Sequence, residues 1–168
     1  MIYVLQVLGG KEERTRDLIA KLVNPEICRE CFVPYCEVSQ CHHGAWQTSK
    51  KIMFPGYLFI ETGDVKTLAV ELGKVPSLTK LLGNSEKFVP LSKQEVNLIE
   101  RFTNGGHVME KSTGVIEGDE VKVFEGPLQG LEGLVKKIDR HKRLAFLEIQ
   151  MFGRTLTVKA ALEIVTKR

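Results

Sequence analysis

Residues 124–139 read FEGPLQGLEGLVKKID, one proline and three glycines spaced a few residues apart between apolar stretches. Gly126, Pro127 and Gly130 permit a tight connection between two strands. Pro127 does so by fixing φ, the glycines by tolerating backbone that other residues avoid. Gly133 reads as the start of the next strand. Val135 and Ile138 are three apart rather than two, so alternation fails there, and a bulge that bends the strand accounts for it. Alternation resumes at Ala145, Leu147, Ile149 and Met151, which are expected to point inward. Phe146 then points outward, with Leu144, Glu148 and Gln150. Gly153 makes the following turn. Short strands at 119–124, 133–138, 145–152 and 155–160, with no room for a helix, predict a small β-barrel over residues 115–168. Its DRHKR loop, 139–143, projects into solvent.

The preceding residues have a different texture. IYVLQVL (2–8) reads as a strand, and GGKEERTRDLIAKLV (9–23) as a helix with Leu18, Ile19 and Leu22 on one face; Asn24-Pro25 ends it. CFVPYCEVS (31–39) and KIMFPGYLFIET (51–62) read as strands joined by a polar hairpin loop, QCHHGAWQTSK (40–50). DVKTLAVELGKV (64–75) and LSKQEVNLIERF (91–102) have helical patterns, the latter opened by a capping box of Ser92 and Glu95. A β-α-β-β-α order followed by a short strand and a helix predicts an antiparallel or mixed sheet with flanking helices. TNGGHVMEKSTG, polar and aperiodic, reads as a flexible connection. The expected class is therefore α+β, with domains 1–103 and 115–168 and a linker at 104–114.

Bulk composition narrows function. The chain has 168 residues, 43% hydrophobic and 27% charged, the mix of a globular protein. Its longest apolar run, 52–60, is broken by Pro55 and Gly56, short of the roughly 20 residues a membrane helix needs. MIYVLQVLGGKEER has no basic leader or small-residue cleavage site, so a cytoplasmic protein is expected. The net charge is only +3, but Lys136, Lys137, Arg140, Lys142 and Arg143 crowd one segment opposed by Asp139 alone, with Arg154 not far beyond. Such a cluster points to a polyanionic partner.

These residues carry a resemblance. GDEVKVFEGPLQGLEGLVKKID resembles a KOW motif, and MFGRTLTVKA the strand pair that completes that barrel. KIMFPGYLFIE resembles the central strand, and YVLQVLGGKEERTRDLI the first strand and helix, of the N-terminal (NGN) domain of NusG-type transcription elongation factors. The resemblance implies a protein without catalytic residues, cofactor or metal, acting as a monomer. It implies that the NGN domain docks on the β′ clamp helices of RNA polymerase and reaches toward the β gate loop. The KOW domain is left to find a ribosomal protein, a termination factor or nucleic acid. By position Tyr3, Phe54, Pro55, Tyr57 and Phe59 match the patch used on the clamp, chemistry suited to an interface hot spot. Ile2 stands where the family often has Trp, and TGDVKTLAV lacks the polar motif that RfaH-type members turn to the gate loop. Lys136 and Lys137 stand where acidic residues are common, which resembles the specialised antiterminator branch typified by LoaP, whose KOW domain recognises a leader RNA hairpin.

On that resemblance the RNA-binding set is Lys136, Lys137, Arg140, His141, Lys142, Arg143, Phe146 and Arg154. Arginines fork onto phosphate or guanine, lysines act as point charges, and His141 and Phe146 can meet a base or sugar. RfaH-type proteins read DNA with the first domain; the densest charge here lies in the second, which favours RNA. In a housekeeping member, Phe152 would instead face a ribosomal or termination factor. CRECFVPYCEVSQCHHG holds all four cysteines, Cys28-x2-Cys31 with zinc-like spacing. Ligands along extended strands lie too far apart for one site, so free thiols are expected. A ribosome-associated KOW protein and a thiol or zinc enzyme are the alternatives. The FPGY domain argues against the first; the absence of a phosphate loop, dinucleotide fingerprint or carboxylate pair argues against the second.

Overall fold

Pro34 and Pro55 divide what the sequence suggests are two continuous strands, and the sheet organisation follows from those breaks. The structure is a computed structural model that describes residues 1–75, 80–81 and 89–167. Its contacts divide the chain into two compact units: Met1–Val33 with Phe54–Val96, and Pro34–Met53 with Asn97–Arg168.

The first unit holds strands β1 (Ile2–Gln6), β2 (Glu30–Phe32), β5 (Tyr57–Glu61) and β6 (Lys80–Leu81), in the order β2-β5-β1-β6, all neighbours antiparallel. Val4, Leu5, Leu58, Phe59 and Ile60 of the central pair are buried on both faces, hence their unbroken apolar character. Helix α1 (Glu12–Leu22) buries Glu12, Thr15 and Ile19, while Leu22 is exposed. The buried stripe is thus shifted from the expected Leu18, Ile19 and Leu22. Helix α2 (Val65–Glu71) starts at Asp64, whose carboxylate accepts from the Thr67 N–H and hydroxyl.

Helix α3 (Lys93–Thr103) opens with the expected capping box: the Glu95 N–H donates to Ser92 Oγ at 3.1 Å and the Ser92 N–H to Glu95 Oε1 at 3.0 Å. It ends at Asn104 and Gly105, both at positive φ.

In the second unit, β3 (Tyr35–His42) pairs antiparallel with β4 (Ala45–Ile52) and parallel with β7 (Val108–Met109). The stretch expected to be a loop, 40–50, is therefore mostly strand. Only His43 and Gly44 remain as a two-residue turn, both at positive φ, with His42 paired to Ala45. Likewise 51–62 is not one strand, because Pro55 and Gly56 form a turn before β5.

The remaining strands are β8 (Ser112–Glu117), β9 (Glu120–Glu125), β10 (Val135–Asp139), β11 (Leu144–Met151) and β12 (Arg154–Lys167), in the order β10-β11-β12-β8-β9. The 104–114 stretch therefore carries β7 and the start of β8 rather than being without strand. The contact division also differs from 1–103 and 115–168, since the β3–β4 hairpin pairs with β7, contacts β12 and groups with the C-terminal strands.

Strand β12 pairs with β11 through Ala161 and with β8 from Leu162 onward, so the sheet curls there. Ala145, Leu147, Ile149 and Met151 point inward as expected, joined by Leu128 and Val158. Gly126 has φ of +103°, and a Cβ on it would sit 2.6 Å from Ser112 Cα. Beside it the Leu128 N–H donates to the buried Ser112 hydroxyl at 3.0 Å. Gly133 lies in a 3-10 turn, Glu132–Leu134, rather than opening β10. Glu132 Oε1 accepts from the Val123 N–H, tying this turn to β9.

Candidate nucleic-acid interface

The outer face of β10-β11-β12 collects most of the candidate RNA-binding residues. The β10–β11 register slips between Val135 and Lys137, so two residues of β10 oppose one of β11. This is the bulge expected from the spacing of Val135 and Ile138, and it leaves Lys136 and Lys137 both exposed. Lys137 pairs with Phe146, and Phe146 with Lys159. The two ammonium groups lie 5.5 and 6.0 Å from the centre of the Phe146 ring. Phe146 is half-buried and faces away from Ala145 and Leu147, as alternation requires.

The β10–β11 turn is held by its own backbone. The Lys142 N–H donates to Asp139 Oδ1 at 3.0 Å, the Arg143 N–H to the Arg140 carbonyl at 3.3 Å, and Arg143 takes φ of +51°. Arg140, His141 and Lys142 are exposed. Arg143 is engaged: its guanidinium lies 4.0 Å from the Trp46 ring centre on β4, and Nη1 is 3.7 Å from Glu163 Oε1. Glu163 also meets Lys111 at 3.5 Å. Arg154 follows the Phe152–Gly153 turn at the opposite end of β11, about 20 Å from the basic turn at strand rise. The structure therefore gathers Lys136, Lys137, Arg140, His141, Lys142 and Phe146, engages Arg143 with Trp46, and leaves Arg154 apart.

The five residues matched to polymerase docking divide by register and burial. Phe54, Pro55, Gly56 and Tyr57 form a tight turn with Pro at the second position and Gly56 at φ of +88°. The Tyr57 N–H donates to the Phe54 carbonyl at 3.2 Å. Glu12, buried at the start of α1, clamps this turn: its carboxylate accepts from the Gly56 N–H at 2.8 Å and from Gly10 at 3.0 Å, and the Val7 N–H meets the Gly56 carbonyl. Pro55 is exposed. Phe59 is wholly buried, with Phe32 stacked 5.5 Å and Phe54 tilted 5.7 Å away. Tyr57 shares the Phe59 face of β5. Tyr3, paired with Ile60, lies on the other face, its hydroxyl toward Met1 Sδ. These rings do not form one exposed patch: Tyr3, Phe54, Tyr57 and Phe59 are all buried, because both faces of the central strands are covered, and of the five only Pro55 is exposed.

The cysteines are distributed likewise. Cys31 lies in β2, Cys36 and Cys41 in β3 of a different sheet, and all four are free thiols. Burial pushes the Cys31 thiol up to about 12 and Cys36 to about 11. Among the described residues no three His, Cys, Asp or Glu side chains group to hold a metal ion, and no helix is long and apolar enough to cross a membrane.

Three residues of interest were not anticipated. Lys159 was detectable, since it alternates with buried Val158 and Ala160. Glu12 announces only an acidic first turn. Trp46 lies in a stretch polar on both faces, so no period marks its strand.

Comparison with known proteins agrees with this architecture. The family model described as transcription termination factor nusG matches residues 2–100, and the KOW motif matches 117–150. The transcription termination/antitermination proteins NusG of Campylobacter jejuni and Buchnera aphidicola are 26% and 28% identical, each over 94% of this chain and 91% and 90% of their own length. The Escherichia coli protein of that name is 29% identical over 94% of the chain and 90% of its own. A solved structure of Thermotoga maritima NusG, 20% identical, covers 94% of the chain and 91% of its own with a TM-score of 0.56, a likeness of fold. With an N-terminal match that spans more than half the residues and a KOW match following it in order, the chain belongs to the NusG family of transcription termination/antitermination factors.

Proposed function

We propose that the protein is a processive antitermination factor of the LoaP kind, which binds RNA polymerase through residues 1–103 and a leader RNA hairpin through residues 115–168. It works by binding, with no catalytic step. The observation that carries the RNA reading is the group of exposed Lys136, Lys137, Arg140, His141 and Lys142 beside outward Phe146. Cations so close together gain affinity for a folded RNA by releasing its counterions. Polymerase binding rests on the family and on the FPGY turn: exposed Pro55 would touch the β′ clamp helices, over a floor of buried Phe54, Tyr57 and Phe59, with the turn held by Glu12. RNA binding by the second domain would raise the factor's local concentration at chosen operons.

The relatives' names favour a second reading, a housekeeping elongation factor whose KOW domain meets a ribosomal protein or termination factor near half-buried Phe152. The test is fluorescence anisotropy with structured RNA at fixed salt. The double variant Lys137→Glu, Arg140→Glu should lose binding while its circular dichroism and its co-purification with polymerase are unchanged. Unchanged RNA affinity would refute the RNA reading and leave the housekeeping one.

A further inference from the structure

We propose that Lys137, Phe146 and Lys159 form a seat for one unpaired nucleotide, its base stacked on Phe146 and its two flanking phosphates held by the lysines. The inference rests on the reading that this face binds RNA, and it extends the interface onto β12.

Lys137, Phe146 and Lys159 sit directly opposite one another on three adjacent strands. The outer strands of such a trio are about 10 Å apart, with the ring between them. Lysine carries its charge on a flexible four-carbon stem. Both ammonium groups now lean over the ring, at 5.5 and 6.0 Å from its centre. Either can swing to a phosphate while the ring face it leaves is taken by a base. The trio is bounded on one side along β11: Glu148, two residues on and on the same face, is exposed and acidic, while the other end leads to the basic turn at Arg140–Lys142. Further phosphates would be repelled at Glu148, so the seat takes one nucleotide and the RNA leaves it toward the basic turn.

That geometry selects the chemistry of the ligand. In a paired stem each base face is covered by its neighbours, so a lone aromatic ring on a sheet finds a partner only where a base is unpaired or splayed out. Stacking on an aromatic is sequence-tolerant, since every base has a π-face, and raises affinity about tenfold per base. The probe therefore need not be the natural target.

The test uses the full chain and three labelled RNA hairpins at one salt concentration: one with a single bulged uridine in its stem, one with an abasic residue at that place, and one fully paired. The wild type should bind the bulged hairpin about tenfold more tightly than either other. Phe146→Leu should remove that preference while keeping its affinity for the paired hairpin. Lys159→Gln, which leaves the ring in place, should weaken all three and reduce the salt slope by about 0.7. Equal wild-type affinity for the bulged and abasic hairpins, with Lys137→Glu, Arg140→Glu still abolishing binding, would overturn the seat but leave RNA binding by this face. Indifference of every hairpin to that double variant would overturn both.

Discussion

Replacing Glu12 by alanine should destabilise the first unit by about 3 kcal/mol. The carboxylate is buried and serves two backbone donors, Gly56 N–H at 2.8 Å and Gly10 N–H at 3.0 Å. Gly10 is exposed, so water can replace the lost acceptor there, and about 1 kcal/mol is lost. Gly56 is half-buried within the turn that begins β5, and its orphaned N–H costs about 2 kcal/mol. The charge at the first turn of α1 contributes about 0.5 kcal/mol more, nearly offset by alanine's better helix propensity. Glu12→Gln retains one oxygen but turns an amide toward a donor, and should cost about half as much. Urea unfolding followed by far-ultraviolet circular dichroism measures the difference; with a slope of about 2 kcal/mol per molar, the midpoint should fall by about 1.5 M. A fall below about 0.3 M would mean that Glu12 does not hold the turn, and the account of how α1 positions Pro55 would fail.

Two glycines separate conformational from steric demand. Gly153→Ala, at φ of +72° with open space around it, should cost about 1 kcal/mol, whereas Gly126→Ala, whose Cβ would press on Ser112 backbone, should cost at least about 3 kcal/mol in thermal or urea unfolding. Equal costs would remove the close approach between the Gly-Pro connection and β8. Ser92→Ala should cost about 1 kcal/mol by the same assay, through loss of the Glu95 N–H acceptor; no change would deny the cap a role. At about pH 8, iodoacetamide should alkylate exposed Cys41 first and leave Cys31 and Cys36 largely unmodified by mass spectrometry. Their thiols are pushed up to about 12 and 11, so little thiolate forms there. Comparable labelling of all three would contradict the burial of Cys36 and the half-burial of Cys31.

What the sequence made legible was whatever burial writes on one face. Ala145, Leu147, Ile149 and Met151 alternate because one side of β11 faces the interior, and the slip at Val135 and Ile138 marks a bulge for the same reason. Ser92 and Glu95 were readable because a capping box is a contact between near neighbours. Strand β4 was not, since AWQTSKK is exposed apart from half-buried Ser49 and carries no period; the strand is specified by backbone pairing with β3 and by the His43–Gly44 turn. The aromatic positions were legible as residues but not as a surface. Register puts Tyr3 opposite Ile60 and away from Phe59, and only the covered sheet makes Phe54 and Phe59 core. Glu12 is set by a contact 44 positions away, which no local pattern encodes.

Trp46 is the chain's sole indole, and it rests on Arg143. The molecule therefore contains its own optical gauge, placed on a cation of the basic turn. A polyanion that draws the guanidinium away uncovers the ring, changing its emission without any attached dye. A ligand confined to the opposite end of β11 leaves the glow untouched. Emission thus tells the two kinds of occupant apart.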